Sequence, residues 1–185
     1  MRKLTALVLA LCLVCSMTCA VAEGTQEIKV GKMSLSIPGN LVSEVVGETD
    51  GLAVHQYTCD DYHLIISFID FEQMAKEMPS TEVESFEYLV DDCETTLYWN
   101  LKLLSGLDSK TAYYYASTAG GILFEEKEWR FFDLEEGAVL AHGSQGEGAF
   151  LMFAIKEGAT LDPSELLPMG FGVACTLQME KAIEK

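Results

Sequence analysis

Positive charge is what this chain has least of. Its 185 residues include 12 lysines and arginines against 29 aspartates and glutamates, a formal charge of −17. Neither nucleic-acid phosphates nor anionic lipid headgroups find cations to pair with on such a surface, which argues against both as partners. It favours solubility, and cationic or divalent partners. Proline is scarce, at 4 residues, and no Pro/Ser-rich linker divides the chain. No internal repeat is present, so a repeat array is not expected. A long uninterrupted apolar run is missing as well. The longest stretch of that kind lies at the amino terminus and loosens at Ser16, Met17 and Thr18.

That terminus reads as a secretory signal peptide over residues 1–22. Arg2 and Lys3 open it, an apolar run from Leu4 to Val14 follows, and Ala20-Val21-Ala22 supplies an A-x-A cleavage site before Glu23. The pattern is that of bacterial-type export, to a secreted or extracytoplasmic location. A lipoprotein leader fits less well, because neither Cys15 nor Cys19 is preceded by the small residue and the leucine that acylation requires. An uncleaved anchor stays open, although a spanning helix wants about 20 apolar residues. Cleavage leaves no membrane anchor and removes Cys12, Cys15 and Cys19. The remainder keeps Cys59, Cys93 and Cys175, so at most one bridge can form among them. The leader holds two of the basic residues and no acid, so the remainder carries 10 basic against 29 acidic residues, a net of −19.

Residues 23–185 have the size of one domain. In EIKVGKMSLSIP, Ile28 and Val30 alternate with polar neighbours, as do Met33, Leu35 and Ile37, one position out of step. Two short strands, or one strand bulged at Gly31, account for the slip. LAVHQYT (Leu52 to Thr58) and YHLIISFID (Tyr62 to Asp70) flank Cys59-Asp60-Asp61 and predict a hairpin. The second is apolar on both faces and reads as a covered strand. A short helical piece is expected over Phe71 to Glu77. A capping-box pattern at Thr81-Glu82-Val83-Glu84 then opens a helix to about Trp99, with Val83, Phe86, Val90, Cys93 and Leu97 as its apolar stripe. Strands follow at Thr111 to Ser117, Ile122 to Phe132, Ala138 to His142 and Gly148 to Lys156, with AGG, DLEEG and GSQGEG as turns and the last strand central. Asp162-Pro163-Ser164-Glu165 starts a final helix, which Pro168, Gly170 and Gly172 break or kink before Val173 to Ile183. The expected fold class is α+β: one antiparallel sheet covered by helices, an α/β/α-type sandwich in a single domain.

The segment MSLSIPGNL, with Leu35-Ser36-Ile37-Pro38-Gly39 at its centre, resembles the opening strand of the PsbP/Mog1/DcrB-like family, and the order of elements over almost all of residues 23–185 is similar too. Most members place a Trp a few residues after the Pro, where Leu41 stands here. The resemblance implies an antiparallel sheet between helices and no catalytic machinery. It implies an accessory role that binds a partner, often outside the cytoplasm. None of the family's functional residues matches a position in this chain.

Several constellations invite a chemical reading. His55, Cys59 and His63, with Asp60 and Asp61, are zinc-ligand types at regular spacing. A two-residue hairpin loop puts the two histidines on opposite faces, whereas a three-residue loop puts them on one. HGSQGEG (142–148) lacks the Lys-Ser/Thr step of a phosphate loop, and Ser144 is not in G-x-S-x-G, so a tight turn accounts for it better. GFGVAC (170–175) has two glycines of a dinucleotide fingerprint without the third, and close helix–sheet packing explains them. Tyr113, Tyr114 and Tyr115, with Trp129 and Phe131, offer an aromatic face for a glycan or peptide, or else half-buried sheet aromatics. Glu125-Glu126 and Glu135-Glu136 are unremarkable in an acidic chain. Cys93 and Cys175 read as buried thiols.

No catalytic, cofactor-binding or metal site is therefore assigned. The expected function is an exported soluble accessory domain that binds a protein partner or an envelope or extracellular ligand without catalysis. A small secreted hydrolase and a divalent-metal-binding protein are the alternatives.

Overall fold

The computed structural model describes residues 24–77, 118–124, 127–134, 137–143 and 146–180. The chain opens with β1 (Thr25–Val30) and β2 (Met33–Pro38), an antiparallel hairpin in which Val30 faces Met33 and Ile28 faces Leu35. The one-position slip in the apolar pattern is thus the turn Gly31-Lys32. Gly31 has φ +55°, and a Cβ there would stand 2.6 Å from Phe68 Cδ1. Both the backbone and the neighbour demand glycine.

Next come β3 (Val42–Glu48), β4 (Leu52–Thr58), β5 (Tyr62–Asp70) and the helix α1 (Phe71–Glu77). The predicted hairpin and short helix fall where the sequence placed them. β3 was not anticipated. The later strands are β6 (Thr118–Phe124), β7 (Lys127–Leu134), β8 (Gly137–Gly143) and β9 (Glu147–Ile155). The expected strand Ile122 to Phe132 is two strands, with Phe124 opposite Lys127. The AGG segment is no turn: Gly120 and Gly121 lie in β6, opposite Phe131 and Arg130. The predicted helix from Thr81 and the strand Thr111 to Ser117 lie outside the described residues.

Strands β3 to β9 form one antiparallel sheet in the order β3-β4-β5-β9-β8-β7-β6. β9 is central, as its nearly all-apolar sequence predicted. Leu64, Ile66 and Phe68 of β5, Leu151 and Phe153 of β9 and Leu140 of β8 share one face, and all are buried. Burying each such side chain stabilises the fold by about 1.5–3 kcal/mol. On the other face Val54, Ile65, Phe150, Met152 and Val139 are buried as well.

The first of these faces carries the second layer. β1 and β2 join β10 (Gln178–Met179) in a three-stranded sheet, and the helix α2 (Leu166–Ala174) lies beside it. Val30, Met33, Leu35 and Ile37 of the small sheet share one core with Leu166, Phe171 and Val173 of α2 and the large sheet's apolar face. Asp162 caps a short 3-10 turn (Pro163–Glu165) by accepting from the Ser164 N–H at 2.9 Å, and α2 follows at once. Pro168 does not break α2. It sits in the first turn, where a missing N–H costs no helical bond. Nor do the glycines kink it, since Gly170 is the point of closest approach: a Cβ there would lie 2.4 Å from Leu140 Cδ1 and 3.1 Å from Phe153 Cε2. The expected helix from Val173 to Ile183 is also wrong. The helix stops at Ala174, and the chain turns at Thr176, whose Oγ1 accepts from the Ser36 N–H, and adds β10 to β2.

The expected fold class is corrected accordingly. Among the described residues the helices are one of seven residues, one of nine and the 3-10 turn. The protein is mainly β, a large antiparallel sheet with a small sheet and a short helix on one face. The N-terminal strands build their own layer where a covering helix was expected.

Candidate functional site

Among the described residues β3 is an edge of the large sheet, paired only to β4. Its register breaks between Ser43 and Val45, a β-bulge that sets Glu44 and Val45 against the single residue Gln56. Uniform alternation would put Glu44, Val46 and Glu48 on one face. The extra residue instead sends Glu44 to one face and Val46 and Glu48 to the other. One edge strand thereby supplies a carboxylate to each of two histidines.

On the face carrying the small sheet, His55 is buried, with Nε2 at 2.8 Å from Glu48 Oε1 and Nδ1 at 3.4 Å from the Tyr57 hydroxyl. Burial pushes the Tyr57 phenol above its usual range. On the opposite face, the buried Gln56 uses its Nε2 amine to donate to Glu44 Oε2 and to His63 Nδ1, the latter at 3.0 Å. An amide turned the other way would set its oxygen against the Glu44 carboxylate, so the amine belongs on this side. Nδ1 of His63 is then an acceptor and its proton sits on Nε2. His63 is held below the ordinary imidazole range, first by burial and then by the positive charge of Lys156. Glu44, 3.5 Å away, pulls the other way.

The hairpin between β4 and β5 closes with the Cys59 N–H donating to the Tyr62 carbonyl, so Asp60-Asp61 is a two-residue turn. His55 and His63 consequently point to opposite faces and do not converge. Asp61 Oδ1 accepts from the Thr160 N–H at 3.0 Å, and Lys156 Nζ donates to the Cys59 carbonyl at 2.6 Å, so the tip is tied to the segment after β9. Cys59 is half-buried with Sγ 3.8 Å from the Tyr62 carbonyl. Among the described residues no group of His, Cys, Asp and Glu is arranged to hold a metal ion.

The remaining candidates go elsewhere. His142 is stacked against the buried Trp129, with ring centroids 5.2 Å apart. Phe131 meets Phe171 edge-on at 5.7 Å, and both Trp129 and Phe131 pack with the core. Gly170 to Cys175 form the end of α2, and Cys175 is half-buried at its C-cap. Tyr113, Tyr114, Tyr115, Cys93, Ser144, the pairs Glu125-Glu126 and Glu135-Glu136, and the leader lie outside the described residues. Sequence reasoning missed Glu44, Glu48 and Gln56. The only available signal was three valines in VSEVVGE, at Val42, Val45 and Val46.

Among the described residues nothing pairs with the outward edge of β3. Val42 and Val46 are 65% and 59% exposed, the large apolar side chains most at odds with their surroundings. The phase of the ladder follows from the Thr49 N–H donating to the Leu52 carbonyl at 2.7 Å. Counting back along the register, Gly47 and Val54 form a hydrogen-bonded pair, and Val46 and Glu48 occupy the non-bonded positions. The N–H and C=O groups of Val46 and Glu48 therefore point away from β4, outward from the sheet.

No protein-family model matches the chain. No curated protein matches it either. A crystal structure of a protein from Bacteroides thetaiotaomicron VPI-5482 is similar at 13% identity with a TM-score of 0.35, over 88% of this chain and 51% of that one. The chain thus spans about half the length of that solved protein. Among the described residues no helix is long and apolar enough to cross a membrane.

Proposed function

We propose that the chain is an exported accessory domain that binds a polypeptide partner without catalysis, by accepting an extended segment of that partner as a further strand on β3. The edge carries this reading: Val46 and Glu48 of the bulged strand direct outward main-chain groups that no described strand pairs, and the side chains of Val42 and Val46 are exposed. Strand addition draws its affinity from such main-chain groups and its selectivity from the side chains between them. The charged start, apolar run and A-x-A of residues 1–22 support export to a secreted or extracytoplasmic location. The likeness to the PsbP/Mog1/DcrB-like family suggests a role of the same kind. Metal chemistry is less well supported, because His55 and His63 face apart.

The test uses the mature chain as bait in envelope and extracellular fractions, with a photo-crosslinking residue at Val46 and, separately, at the distant exposed Thr160. A partner joined through position 46 and lost in Val46→Pro is the expected result. A partner joined equally from both positions, or retained by Val46→Pro, refutes docking on β3.

A further inference from the structure

Strand addition on β3 leaves open what the added strand looks like, and the edge itself narrows the answer. Along its C-terminal half the outward positions are Val46 and Glu48, two residues apart on the same face. A strand paired here places one residue directly opposite each of them, with its side chain beside theirs. The residue between meets Gly47, which offers no side chain. Beyond the bulge, Glu44 presents a second half-exposed carboxylate on the other face. Glu48 is half-exposed too, since its contact with His55 uses one oxygen and leaves the rest of the carboxylate to solvent.

We infer, resting on the strand-addition reading, that the partner segment is cationic: an extended stretch that puts a lysine or arginine opposite Glu48 and a β-branched residue opposite Val46. Opposite charges directly across a ladder attract, and an apolar cross-strand pair covers the exposed valine. The charge of the whole chain, −17, steers a cationic segment toward it and repels an acidic one. A second copy of the chain is the less favourable occupant, because it brings the same charge and its own Glu48 to the same edge. Charged edge strands of this kind suppress self-pairing in sheet proteins generally.

The probe is the capped peptide Lys-Thr-Val-Thr-Lys, which sets a lysine two residues from the valine on either side, compared with Gln-Thr-Val-Thr-Gln, each titrated to millimolar concentration against the isotope-labelled mature chain. The readout is the amide shifts of Val46 and Glu48. The expected result is saturable shifts with the lysine peptide, tighter than with the glutamine peptide. Glu48→Gln should weaken the lysine peptide by about two- to five-fold and leave the other unchanged. A lysine peptide N-methylated on its central valine, which cannot donate to the edge, should fail to bind; this control leaves the protein untouched. Equal affinity for the two peptides, or no effect of Glu48→Gln, overturns the cationic partner while strand addition stands. Absence of shifts with both peptides, or undiminished binding of the N-methylated one, overturns strand addition itself.

Discussion

Proline substitutions at two neighbouring positions of β3 should have opposite consequences. Position 46 is 59% exposed and occupies a non-bonded rung, so its N–H points away from β4. Proline there removes no ladder bond and buries nothing, and edge strands accept it where the N–H faces outward. The unfolding free energy should change by no more than about 0.5–1 kcal/mol, the range of surface substitutions. Position 47 is exposed too, but it is a bonded rung opposite Val54, whose backbone is buried. Proline there deprives the Val54 carbonyl of its donor, at a cost of about 1–3 kcal/mol, and its ring adds a clash with β4. Urea unfolding measures both, provided the slope with denaturant stays constant. For a chain of this length each kcal/mol also moves the melting temperature by roughly 2–4 °C. Equal destabilisation by Val46→Pro and Gly47→Pro, or the reverse order, would refute the phase of the ladder and with it the open edge at Val46.

Three further expectations can be checked alongside. His63 titrates below the unfolded imidazole value, so the folded chain binds fewer protons than the unfolded one in that window; stability is full above pH 6.5 and falls as pH drops through the folded pKa. His63→Gln should flatten that part of the pH–stability profile measured by thermal unfolding. Gly170→Ala gains up to about 1 kcal/mol of helix propensity but forces a methyl against Leu140 and Phe153, an overpacking cost of about 1–3 kcal/mol; the net should be destabilising, and a rise in the urea midpoint would contradict the packing. Mass spectrometry of the exported product should find an amino terminus at Glu23, whereas an intact Met1 would set aside the cleaved leader.

Legibility followed burial. β4, β5 and β9 could be read because their apolar residues meet a covered sheet on both faces, and the short polar turn at Asp60-Asp61 marks where the hairpin reverses. β3 could not, because an uncovered edge has no buried face to impose alternation, and its bulge scrambles what alternation remains. Gly120 and Gly121 mislead in the same way: glycine signals a turn locally, yet here it fills a strand opposite Phe131 and Arg130. Pro168 looks like a breaker in sequence because nothing local marks that the helix begins only two residues earlier, at Leu166. The histidines stand out in sequence by their spacing to each other. Their working partners, Glu44 and Glu48, come from a strand that was not foreseen.

The extra residue in β3 carries a consequence for how this segment can vary. Deleting Val45 would leave Glu44 alone opposite Gln56, with Val46 still opposite His55 and Glu48 still opposite Ala53, so even alternation returns with both carboxylates on their present faces. Deleting Glu44 would instead leave Val45 alone on that rung and take the carboxylate from Gln56 and His63, while Glu48 stays on His55. The segment should therefore absorb the loss of one bulge residue, and which one is lost decides whether His63 keeps its acidic neighbour. Both single-codon deletions should fold, and only the loss of Glu44 should move the titration of His63 to lower pH.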